Sequence, residues 1–239
     1  MSSKKPSSPD VLLSQMALPL QLADHAVFAS FLKTGNEALV AMLQALADGA
    51  KEAGCWIYGP AATGKTHLLQ AACAHAGDRS VYVPLGHYAE ASPAMLEGLE
   101  RRDLVCLDDI DAVAGDPGWE QMLFGLCNQI LDTGGSLIVT ALQPPRASAF
   151  ALPDLQSRLS RLPVFQLKSL DEPQRAAALQ LRARHRGLEL PDETARYLLR
   201  RSRRDMASLY DLLDRLDDEA LRAQRRLTVP FVREVLQQI

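Results

Sequence analysis

Paired cysteines, aromatic residues and long apolar runs are all scarce in this chain of 239 residues. The four cysteines, Cys55, Cys73, Cys106 and Cys127, are too widely spaced for a CxxC pair and sit among apolar neighbours. Buried free thiols in a reducing compartment are therefore expected, rather than a disulfide framework or a zinc site. Aromatics make up only 5% of the chain, and its apolar content is mainly Leu, Ala and Val. That balance suits an α-rich or α/β protein. No stretch approaches the ~20 apolar residues of a membrane span. Lys4 and Lys5 are not followed by the apolar run of a signal peptide. A cytoplasmic location, with no membrane partner, is expected. Strong positive charge is absent too: the formal net charge is −3, which argues against a free-standing nucleic-acid binder. The charge is unevenly spread. From Gln166 onward there are 15 Lys and Arg against 12 Asp and Glu, while the preceding residues hold 11 against 17.

The pattern along the chain divides it into three. Residues 1–24 read as a flexible tail: Met1–Asp10 is rich in Ser, Pro and Lys, and Pro19 disfavours a helix through the apolar patch that follows. Residues 25–168 alternate short apolar strands with helical patterns. Helices are expected over Leu39–Ala50, Thr66–Ala76 and Trp119–Asp132. Strands are expected at Cys55–Tyr58, Val81–Leu85, Leu104–Leu107, Ser136–Thr140 and Val164–Leu167. Strands separated by helices indicate a parallel sheet with crossover helices. Residues 169–239 are expected to be helical throughout, in segments near Glu172–Arg186, Asp192–Arg200, Asp205–Gln224 and Pro230–Ile239.

The most specific motif is Gly59-Pro60-Ala61-Ala62-Thr63-Gly64-Lys65-Thr66, which fits G-x-x-x-x-G-K-[ST] without mismatch. Its glycines let successive N–H groups converge on an anion, and the following helix offers its positive end. Lys65 is expected to reach the outer phosphates of ADP or ATP, and the Thr66 hydroxyl to hold Mg²⁺. His67 lies close by and reads mainly as a helix residue. A second motif is the strand Leu104–Leu107 ending in Asp108-Asp109. Beside a phosphate loop, Asp108 is expected to serve the metal. Asp109 takes the water-orienting position, one methylene shorter than the usual Glu.

The order of these motifs resembles the AAA+ ATPases, a P-loop core with a parallel sheet followed by a small all-helical lid. Finer features resemble the bacterial replication initiator DnaA and its shorter relatives, the regulatory inactivators of DnaA (Hda). Phe28-x-x-Phe31 with Gly35-Asn36 is similar to the segment that packs near the adenine. Thr140, with Pro144-Pro145 beyond it, is similar to the sensor-1 strand, although Leu142 stands where an acid is usual. Leu155-Gln156-Ser157-Arg158-Leu159 resembles the arginine-finger segment, and Arg203-Arg204-Asp205-Met206 resembles sensor 2, with Arg204 at the Arg position. Gln15-Met16-Ala17-Leu18-Pro19-Leu20 looks like a peptide that docks on the DNA polymerase sliding clamp (beta subunit), although a loose segment covering the domain fits the same residues.

The resemblance implies a negative regulator of replication initiation. It would sit on the clamp, touch DNA only through it, and supply Arg158 in trans to ATP held by DnaA. Arg161 is the neighbouring candidate for that role, and a local ion pair is the other use of Arg158. The chain's own nucleotide would order the interface, with Arg204 sensing it and intrinsic hydrolysis weak. Self-association into a homodimer stays open. Two other classes fit part of this pattern. One is a helicase loader or remodelling ATPase that uses its own hydrolysis; the other is a non-catalytic clamp-tethered adaptor.

Overall fold

A computed structural model describes residues 26–88, 91–201 and 206–237. The expected clamp peptide Gln15–Leu20 and the sensor-2 residue Arg204 lie outside these residues. The first helix is α1 (Glu37–Asp48), which ends at Gly49 in the left-handed region. Five strands and further helices follow: β1 (Gly54–Tyr58), α2 (Lys65–Ala76), β2 (Ser80–Pro84), the single turn α3 (Leu85–Tyr88), β3 (Leu104–Asp108), α4 (Pro117–Asp132), β4 (Ser136–Ala141), α5 (Pro153–Leu159) and β5 (Val164–Gln166). The helical unit comprises α6 (Glu172–His185), α7 (Asp192–Arg201), α8 (Met206–Ala223) and α9 (Val229–Leu236).

The strands form one sheet in the order β2-β3-β4-β1-β5, and every pair is parallel. This is the parallel sheet with crossover helices that the sequence pattern indicates. Each crossover needs a connection on a face of the sheet, so the central strands β1, β3 and β4 are covered on both faces and are mainly apolar, while the edge strands β2 and β5 stay partly exposed. Alternate residues feed different layers. Cys55 and Ile57 pack with α1 and α2, whereas Trp56 packs with α4 and α5. The third cluster lies in the helical unit, around Leu179, Leu198, Leu213 and Phe231.

Most expected elements shift by only a residue or two. The second helix begins at Lys65 rather than Thr66, so the phosphate-loop lysine is its first residue. The last strand ends at Gln166 rather than Leu167, and the last helix ends at Leu236 rather than Ile239. Two α-helices were not expected, α3 and α5, at four and seven residues. Neither is long enough to show a helical period. All four cysteines are buried and unpaired. Burial pushes the Cys55 and Cys127 thiols up to about 12. No helix among the described residues is long and apolar enough to cross a membrane.

Candidate functional site

The phosphate loop leaves the C-terminal end of β1 and enters α2. Two glycines are fixed by close approach. A Cβ on Gly59 would lie 2.3 Å from the Leu167 carbonyl oxygen, and one on Gly64 would lie 2.9 Å from Phe31 Cε2. Gly64 has φ of 100°, and Ala62 is also left-handed at 59°. Such a path turns backbone N–H groups into a concave anion site at the start of a helix. Lys65 is only 5% exposed. Its Nζ donates to the carbonyls of Gly59 (2.8 Å) and Pro60 (2.9 Å), which holds the ammonium over the loop. Thr63 Oγ1 also donates to the Pro60 carbonyl.

A cleft of about 530 Å³ opens above the loop, between the loop with the start of α2 and the helical unit. Ala61 through His67 line it on one side, and Ala178, Arg182, Met206 and Tyr210 on the other. Phe31 and Asn36 also face it, but Phe28 turns into the core and meets the His75 ring edge-on at 5.9 Å. His67 is drawn toward the first segment: its Nε2 lies 3.1 Å from the Val27 carbonyl and 3.3 Å from Ser30 Oγ. Its ring also packs 5.8 Å from Phe31.

Asp108, 2% exposed, ends β3 beside the loop. Thr140 Oγ1 donates a short hydrogen bond to its Oδ1, and the Tyr82 hydroxyl donates to its Oδ2 at 2.8 Å. Thr140 Oγ1 in turn accepts from the Asp109 N–H at 2.8 Å. Three adjacent strands are thus tied together at their C-terminal ends. Asp109 is exposed, in the left-handed region with φ of 54°. Partial burial of its carboxyl, and then the charge of Asp108, raise its pKa above 3.8. Tyr82 is pushed up by burial and then by Asp108, so it remains a donor.

Sequence reasoning missed Tyr82, Arg182 and Tyr210. Tyr82 resembles one more bulky strand residue, and only its place two residues before the strand end hinted at Asp108. Arg182 sits in an Arg-rich helix that suggests a solvated face. Instead it is 6% exposed, lies 4.3 Å over the Tyr210 ring and pairs with Asp214 at 3.2 Å.

Arg158 occupies the opposite end of the sheet. With Arg161 and Lys51 it lines a cleft of about 430 Å³ that also touches Ala53 and Gly135. Those two residues immediately precede β1 and β4, so Arg158 lies roughly 16 Å, one strand length, from its own phosphate loop. Arg158 Nη2 meets Asp132 Oδ1 at 3.2 Å, so the local ion pair given above as the other use of Arg158 is present. Arg161 is exposed.

Residues 171–236 match the family model for the Hda lid domain. Domain III of the Thermotoga maritima replication initiation protein DnaA superposes with a TM-score of 0.75 at 20% identity, over 90% of this chain and 97% of that one. AMPPCP-bound DnaA from Aquifex aeolicus gives 0.63 at 23% identity, over 78% of this chain and 62% of that one. The Thermotoga maritima RuvB Holliday junction branch migration motor gives 0.60 at 19%, over 87% and 69%. This chain therefore spans less than two thirds of the Aquifex DnaA chain. The likenesses establish an AAA+ fold, and the C-terminal match is to an Hda-type lid.

Proposed function

We propose that this AAA+ chain with an Hda-type lid is a DnaA-related regulator of replication that inactivates DnaA by supplying Arg158 in trans. The single observation that carries the reading is the position of Arg158 at the far end of the sheet from its own phosphate loop. An arginine there cannot serve the nucleotide of its own chain, but it is suited to a neighbour's. A guanidinium stays charged and its fork matches phosphate oxygens. The lid match supports the choice of DnaA as the neighbour.

In this reading an adenine nucleotide fills the cleft above Gly59–Thr66. The converging N–H groups and the covered ammonium of Lys65 receive its phosphates, and Arg204 senses them. Thr66 and Asp108 are the oxygen donors that suit Mg²⁺, which would neutralise phosphate charge when bound. Asp109 would orient water only weakly, so the nucleotide braces the chain rather than driving it. Gln15–Leu20 docks on the sliding clamp and restricts action to clamp-bearing DNA. The test incubates ATP-loaded DnaA with this protein, with and without clamp on DNA, and follows ADP on DnaA. ADP should accumulate with clamp and fall to the basal rate when Gln15–Leu20 is removed. Equal rates with and without clamp would refute clamp docking, and no acceleration at all would refute the reading.

A further inference from the structure

We propose that α4 acts as a splint that aims Arg158, with Asp132 as the positioning residue; this rests on the reading of Arg158 given above. The helix holds the Arg158 segment at both of its own ends, each time through a carboxylate. At the start, Glu120 is 1% exposed. It accepts the backbone N–H groups of Gly115 (2.6 Å), Ala151 (2.9 Å) and Leu152 (2.6 Å). Leu152 is the N-cap of α5. A carboxylate is tolerated in such a place only when its oxygens are satisfied, and here backbone donors alone satisfy them. The beginning of the Arg158 helix is thereby fixed to the first turn of α4. Along the length between, Leu155 and Leu159 join Leu123, Leu126 and Ile130 in one apolar cluster.

At the far end, Asp132 is the last residue of α4 and its side chain is 74% exposed. A negative charge there opposes the helix macrodipole, so helix stability offers no reason for an acid. An exposed ion pair also contributes little to folding. What Asp132 does is hold one edge of the Arg158 guanidinium, whose side chain is only 24% exposed. Arg158 Nε is buried, and no second hydrogen bond of the Arg158 guanidinium occurs among the described residues. Backbone, stem and one terminal nitrogen are thus constrained, Nε is closed to an incoming anion, and the N–H groups of Nη1 stay available to it. Orientation matters in such a role, since a displacement of about 1 Å can cost up to ~10²-fold in rate.

The experiment measures hydrolysis of ATP on DnaA with the full chain and clamp-loaded DNA. Asp132→Ala should lower the maximal stimulated rate roughly tenfold, within that range, at an unchanged half-saturating concentration and melting temperature. Asp132→Glu should restore most of the rate. A wild-type maximal rate in Asp132→Ala would overturn the proposal. So would a loss confined to the half-saturating concentration, which would make Asp132 a docking residue. Arg158→Ala is measured in parallel. If it retains full stimulation, the reading of Arg158 fails; if it loses stimulation while Asp132→Ala does not, only the splint fails.

Discussion

The two ends of the sheet are built in opposite ways. At the C-terminal end the buried polar side chains are engaged: Lys65 on two carbonyls, Asp108 between Thr140 and Tyr82, and Thr140 also beneath the Asp109 N–H. At the N-terminal end Lys51 and Arg161 are exposed, and Arg158 has a single exposed partner. A buried polar network must be complete or it destabilises the fold, which suits a site that holds a ligand in one geometry. An end with spare donors suits contact with something outside the chain.

That contrast is broken most severely by Arg158→Ala. Stimulation of DnaA hydrolysis should fall by about 10³-fold or more, the scale of a trans arginine in the GTPase example. Nucleotide binding by this chain, followed by calorimetry, should be unchanged. Lys65→Ala is the mirror experiment. It removes a charged donor worth roughly 1.5–3 kcal/mol per hydrogen bond, so affinity for ADP should drop about 10²-fold. If Lys65→Ala left ADP affinity intact, the C-terminal end would not be the ligand site.

Tyr82→Phe probes the network more gently. It deletes one donor to a buried carboxylate and should cost about 1–3 kcal/mol of stability in urea unfolding. A fully tolerated Phe would mean that Asp108 does not depend on its second donor. The smallest effect is expected from Asp109→Asn. The folded state holds the Asp109 pKa above 3.8, through partial burial and then Asp108. Its ionised form therefore destabilises the fold at neutral pH. Asn removes that charge and tolerates the left-handed backbone, so the variant should be slightly more stable at pH 7. The gain should shrink as pH falls through the raised value, and vanish below 3.8, where both states of the native chain are protonated. Thermal melts at pH 7 and pH 4 check the sign.

The ligand end was far more legible in the sequence than the other. Gly59–Thr66 carries its chemistry in consecutive residues, because a phosphate loop is a local backbone device. Asp108 was readable for a similar reason, as an acid closing an apolar strand. Tyr82 was not, because its role depends on the neighbouring strand: Tyr82 pairs in register with Cys106, and its hydroxyl reaches diagonally to Asp108. Arg182 was hidden by composition, since arginines in a basic helix look alike until packing places one over Tyr210. Glu120 and Asp132 were invisible for the same reason. Their partners lie 26 or more residues away in sequence, apart from Gly115. The sheet itself was well anticipated because its central strands, buried on both faces, leave apolar runs, whereas α5 was too short to leave any period.

The separation of Arg158 from the phosphate loop also has a consequence for symmetry. A contact that joins one chain's arginine end to another's nucleotide end is heterologous: it uses two different surfaces and points in one direction. A two-fold pair of identical chains built on the Arg158 face would close that face to any other molecule. Copies joined head to tail would instead leave one arginine end open at the terminus. Such a row could cap a neighbour's nucleotide at that end only, and would therefore have a working end and a blind one.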